Sequence, residues 1–93
     1  MKGLSHEVRH KGGVFYVQTQ DMGNDAGYVE SLIYKGGTLI TSRKSYYYSL
    51  LGSADLPERV AQLLREQHRS VIRDIEIGRF NYTLTSSEKE GGG

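Results

Sequence analysis

Between residues 5 and 48, apolar and polar side chains alternate in short runs broken by paired glycines. From 56 to 77 the apolar positions instead recur every three or four residues. The first pattern predicts β-strands and the second an amphipathic helix. His10-Lys11-Gly12-Gly13-Val14 and Tyr34-Lys35-Gly36-Gly37-Thr38 are near copies. Each Gly-Gly is flanked by β-branched and aromatic residues, which is the signal of a two-residue hairpin turn. Neither pair begins a phosphate-binding loop, because no Gly-Lys-Ser/Thr follows it.

Turns at the two glycine pairs set His10 opposite Phe15 and Val8 opposite Val17 on one side of the first hairpin. Arg9–Tyr16 and Glu7–Gln18 fall on the other side. In the second hairpin Ile33–Ile40 and Ser31–Ser42 share a side, leaving Tyr34–Leu39, Leu32–Thr41 and Glu30–Arg43 opposite. The last is a cross-strand charge match worth about 0.2–1 kcal/mol. Asp21-Met22-Gly23-Asn24-Asp25-Ala26-Gly27 joins the hairpins with residues that tolerate left-handed backbone. The fourth strand is expected to continue from Thr38 as far as Tyr48.

Ser53 and Asp55 offer caps for the helix, and Asp55-Leu56-Pro57-Glu58 resembles a capping box with proline in the first turn. Leu56, Val60, Leu63, Leu64, Val71, Ile72 and Ile75 gather on one side. Arg59, Gln62, Arg65, Glu66, Arg69, Arg73 and Glu76 cover the other, with Gly78 as the stop. Beyond it Phe80, Tyr82 and Leu84 alternate with Asn81, Thr83 and Thr85, giving either a short fifth strand over 79–85 or an arm that docks elsewhere. The expected fold is therefore α+β, a four-stranded antiparallel meander over 5–48 followed by one long C-terminal helix over 56–77. It forms a single domain over 1–85 with a disordered tail over 86–93.

At 93 residues the chain buries only about 60–65% of its unfolded surface, so its core is thin and self-association is expected. One helix covers one face of a four-stranded sheet, yet both faces carry apolar side chains. Pairing across the 21–27 loop decides which hairpin faces lie together, and the sequence leaves it open. Either way apolar surface remains, and a partner surface accounts for it. The absence of Cys excludes disulfides, thiolate metal sites and cysteine nucleophiles. No apolar run approaches the roughly 18 residues of a membrane span. Met1-Lys2-Gly3-Leu4-Ser5-His6-Glu7 lacks a signal-peptide core, so a cytoplasmic protein is expected, and the acceptor pattern Asn81-Tyr82-Thr83 is read as chance. Twelve basic and eleven acidic residues leave a net charge of +1, which selects no partner.

Candidate chemistry is sparse. His6 and His10 share a strand face but lie roughly 13 Å apart by the strand rise, too far to hold one metal. His68 sits at the margin of the helix's apolar side, with no carboxylate identifiable as a partner. Asp21, Asn24 and Asp25 lack the spacing of a calcium loop and read as turn residues. No catalytic residue, cofactor or metal is expected. Tyr16, Tyr28, Tyr34 and Tyr46 are interleaved with Arg9, Arg43 and Lys44, and these seven are the candidate binding residues. Tyrosine brings a large rigid surface and a polar tip to protein interfaces, and aromatic side chains beside cations also stack single-stranded bases. Arg65, Arg69 and Arg73 form a helical stripe expected to be paired with neighbouring carboxylates.

Phe15-Tyr16-Val17-Gln18-Thr19-Gln20-Asp21-Met22-Gly23, followed by Ile33-Tyr34-Lys35-Gly36-Gly37 and Ser45-Tyr46, resembles a small bacterial domain family of unknown function over roughly residues 3–80. That resemblance implies a fold unit and brings no activity or catalytic residues with it. The ββββα order is similar in topology to the repeat of PUR proteins and to Whirly domains, which bind single-stranded nucleic acid. The basic, aromatic strand pattern of the PUR repeat is met only in part, and the net charge departs from it. The function expected is a non-catalytic binding or assembly module, a homodimer through sheet surface, edge strand or the 79–85 arm. The alternative is a single-stranded nucleic-acid-binding domain.

Overall fold

The computed structural model describes residues 3–79; the segment 80–85, the glycosylation-like triplet within it and the 86–93 tail lie outside the described residues. Four strands follow one another, β1 (Gly3–His10), β2 (Gly13–Asp21), β3 (Tyr28–Lys35) and β4 (Thr38–Tyr46). They form one antiparallel sheet in the order β1-β2-β3-β4. A 3₁₀ turn (Tyr48–Leu50) then leads to the helix α1 (Leu56–Glu76), which lies across β1, β2 and β3. This is the α+β meander that the patterning predicts. Among the described residues no helix is long and apolar enough to cross a membrane.

The alternation in the strands and the 3.6-residue period of the helix meet in a core of two clusters. Val8, Phe15, Val17 and Ile33 of the sheet pack on Val71 and Ile75 of α1. Val29 and Tyr47 pack on Val60 and Leu64. Burying each of the larger side chains contributes about 1.5–3 kcal/mol, which is what holds the helix to the sheet. The polar side of α1 faces outward as expected, since Arg59, Gln62, Arg65, Glu66, Arg69, Arg73 and Glu76 are all exposed.

Both hairpins depart from the simple register. In the first, the turn is made by Lys11 (φ 50°) and Gly12 (φ 80°), so His10 faces Gly13 and Val8 faces Phe15 rather than Val17. This slip is an even number of residues, so every side chain keeps its face. In the second, Gly36 (φ 60°) and Gly37 (φ 83°) form the turn and Tyr34 does face Leu39. A β-bulge between Ile33 and Tyr34 then sets Ile33 against Thr41. One extra residue in β4 exchanges the faces of everything beyond it. The expected Glu30–Arg43 match is therefore not made, as Glu30 faces Lys44 and Arg43 faces Ser31.

The strand β4 ends at Tyr46, short of the expected Tyr48. Tyr47 leaves the ladder to bury its ring in the second cluster, and Tyr48 begins the 3₁₀ turn. Gly27 (φ 75°) makes room for that exit, because a Cβ there would run into the Tyr48 ring. The capping box is not formed either. Asp55 stands at the N-cap, but its carboxylate accepts from Arg59 Nε at 3.0 Å instead of a helical N–H. Gly78 (φ 83°) ends the helix, its N–H donating to the Ile75 carbonyl at 2.9 Å.

Candidate functional site

Two regions carry side chains that packing alone does not explain, the sheet face turned away from α1 and a polar band between α1 and the sheet. Alternation along β2 and β3 puts Val14, Tyr16, Gln18, Leu32 and Tyr34 on the outer face. The register sets Tyr16 directly opposite Tyr34, which in turn faces Leu39. Val14 and Tyr16 are each 42% exposed and Leu39 is 50% exposed. At the other end of the same face the Tyr28 ring meets Tyr46 with centroids 5.1 Å apart, and Tyr46 stacks on Tyr48 at 5.7 Å. Lys44 Nζ lies over the Tyr28 ring, 4.9 Å from its centroid.

Of the seven candidate binding residues, the outer face thus gathers Arg9, Tyr16, Tyr28, Tyr34, Lys44 and Tyr46. Arg43 is not among them. The bulge turns it toward the helix, where its guanidinium donates to Asp74 Oδ2 at 2.6 Å and to Ser70 Oγ at 3.2 Å. Arg9 lies 3.6 Å from Glu7, an exposed pair. The expected pairing of the Arg65, Arg69 and Arg73 stripe with carboxylates is not found among the described residues, where Asp74 meets Arg43 and Arg79 instead.

The polar band comes from hydrophilic residues at core positions. Thr19 and Ser31 follow the inward parity of Phe15, Val17 and Ile33, and Gln67 and His68 fall on the inner arc of α1. All four are buried, His68 being only 3% exposed. Thr19 Oγ1 lies 2.7 Å from both His68 Nδ1 and Ser31 Oγ, and His68 Nε2 lies 2.8 Å from His6 Nδ1. Gln67 Nε2 donates to Ser31 Oγ at 2.9 Å and to the Arg43 carbonyl at 3.2 Å, while Ser45 Oγ donates to Gln67 Oε1.

The direction of this chain follows from its anchor. A carbonyl oxygen only accepts, so the Arg43 carbonyl fixes which end of the Gln67 amide carries hydrogen. Ser31 accepts from that amide and passes its own hydrogen to Thr19. Thr19 passes its hydrogen to His68 Nδ1. His68 therefore carries its proton on Nε2 and donates it to His6 Nδ1, which leaves His6 with its N–H on Nε2, on an exposed residue. The reverse direction would strand the Ser31 hydroxyl hydrogen without an acceptor in a buried place, at a cost of about 1–3 kcal/mol. Burial, then the neighbouring His6, holds the His68 pKa below the ordinary histidine value. Both His68 nitrogens are occupied within the fold, so this ring is a link between helix and sheet rather than an open base.

Sequence spacing misses the His6–His68 contact, since the partners stand 62 positions apart. It also places His68 at a margin when the ring lies in the core. His10, on the same side of β1 as His6, belongs to a different environment near Gly78, and its Nε2 is buried without a hydrogen-bond partner among the described residues. In the 21–27 loop, Asp21 Oδ1 accepts from the Gly23 N–H at 2.9 Å and the Tyr47 hydroxyl at 2.6 Å. Burial and the Asp21 carboxylate push the Tyr47 pKa up to about 12.

No protein-family model, curated protein or solved structure matches the chain, so the functional reading rests on these residues alone.

Proposed function

We propose that the domain is a non-catalytic assembly module whose uncovered sheet face meets a second copy of the chain. The observation that carries this reading is the cross-strand pair Tyr16–Tyr34, flanked by exposed Val14 and Leu39 on the face opposite the helix. Apolar surface contiguous across three strands costs free energy in water unless something covers it. The same face carries both signs of charge, Glu7 and Glu30 with Arg9 and Lys44. A two-fold pairing can match such a surface to itself, each acidic position meeting a basic one on the partner. Light scattering on the wild-type chain is expected to give twice the chain mass at micromolar concentration. A monomer mass throughout that range would contradict the reading.

The Lys44–Tyr28–Tyr46–Tyr48 stack favours a second reading, a single-stranded nucleic-acid platform. Glu30 opposite Lys44 and the turning of Arg43 into the helix side weaken it. Salt separates the two readings. Oligonucleotide affinity should fall steeply with salt for each phosphate neutralised, whereas a tyrosine-rich dimer contact should barely respond.

A further inference from the structure

We propose that the cleft between β1 and α1 binds a small organic oxyanion, a carboxylate or phosphate monoester carrying an apolar group. Leu4 and His6 of β1 and Arg65, His68, Arg69 and Ile72 of α1 line it. Three features point the same way. No acidic side chain lines this cleft. Arg65 and Arg69 stand one helical turn apart, and among the described residues neither side chain makes a hydrogen bond or ion pair. Two guanidiniums presented together are suited to carboxylate and phosphate oxygens, which they grip with pairs of parallel N–H donors.

The third feature comes from the buried chain. Because Gln67, Ser31 and Thr19 fix the direction of hydrogen bonding, His6 Nδ1 accepts from His68, which leaves the Nε2–H of this exposed, cleft-lining ring as a donor. An imidazole N–H held in this way adds a directed hydrogen bond to an oxyanion. Leu4 and Ile72 supply apolar walls, so inorganic phosphate would use only part of the cleft.

Titration of the ¹⁵N-labelled chain with phenyl phosphate, benzoate and inorganic phosphate, followed by NMR, tests the site. Saturable shifts confined to Leu4, His6, Arg65, Arg69 and Ile72 are expected at millimolar ligand, with inorganic phosphate the weakest. Tighter binding of phenyl phosphate would identify a phosphate ester and tighter binding of benzoate a carboxylate, and either supports the site. The double variant Arg65→Gln/Arg69→Gln should weaken binding by about tenfold or more, since two charge-assisted contacts are lost. Arg59→Gln, on the same helix but paired with Asp55, should leave it unchanged. Equal losses in both variants, or unchanged binding in the double variant, would overturn the proposal. So would shifts spread along the whole helix. Exposed arginines tolerate glutamine, and the circular dichroism of each variant should match the wild type.

Discussion

Lys11 holds a φ of 50° in the β1–β2 turn, a left-handed conformation that costs a residue with a Cβ about 1–2 kcal/mol. Asparagine tolerates that conformation and precedes glycine in the commonest hairpin turns. Lys11→Asn is therefore expected to stabilise the domain by about 0.5–1 kcal/mol, read as a higher urea midpoint at unchanged slope. A lower midpoint would mean that some contact of the lysine side chain outweighs its backbone strain. Thr19 is the other decisive single residue, because its hydroxyl stands between His68 and Ser31, both buried. Thr19→Val keeps the shape and strands both neighbours, so a loss of about 1–3 kcal/mol is expected in the same denaturation experiment. A loss below about 0.5 kcal/mol, the range of an ordinary surface change, would show that the hydroxyl is not a necessary link.

At the scale of elements, the four strands and the helix were legible because alternation and the 3.6-residue period persist over eight or more residues each. Parity alone set Tyr16 and Tyr34 on the sides of their own hairpins away from Phe15 and Ile33, and the slip in the first turn left this untouched. That the two sides form one sheet face comes from the β2–β3 register, which the sequence left open. The bulge in β4 was not legible. Leu39-Ile40-Thr41-Ser42 reads equally well with or without one unpaired residue, and a single insertion decides whether Arg43 joins the tyrosines or the helix. The buried band left a fainter mark, for Thr19 and Ser31 stand at strand positions whose parity belongs to the core. Their partners, however, come from distant parts of the chain. This band ties α1 to the sheet through the buried His68 ring, and that makes the attachment sensitive to acid. The groups around His68 are His6 from β1, Thr19 from β2 and the cations Arg65 and Arg69 beside it on α1, with no carboxylate lining the cleft they share. Its folded pKa lies below the unfolded value near 6.5, so below that pH the unfolded chain binds more protons than the folded one. Stability present at neutral pH should thus fall as pH drops through 6.5, by at most about 1.4 kcal/mol per pH unit for this one proton. Melting temperatures between pH 7.5 and 5.5 measure this, and His68→Gln should flatten the part of the slope that His68 carries.

Over the whole of the described residues there is one α-helix for a sheet with two apolar faces. On the covered side the packing of Phe15, Val17, Ile33, Leu64 and Val71 leaves no accessible surface on those side chains. On the other side Val14, Tyr16 and Leu39 remain open to solvent. The proposed self-association through that open face and the proposed anion binding in the β1–α1 cleft would use opposite sides of the sheet, so each could be removed without the other. The central claim is that Tyr16 and Tyr34 form the contact between two copies. Its most direct test is the mass of the double variant Tyr16→Glu/Tyr34→Glu measured by light scattering, with circular dichroism on the same sample. Two buried carboxylates without partners would cost several kcal/mol at a dimer interface, while the helix-facing core is untouched. The expected result is a single-chain mass with the helical signal retained, where the wild type gives twice that mass. A double variant that stays dimeric with its helix intact would contradict the claim, and one that loses its helical signal would show that these tyrosines hold the fold rather than the partner.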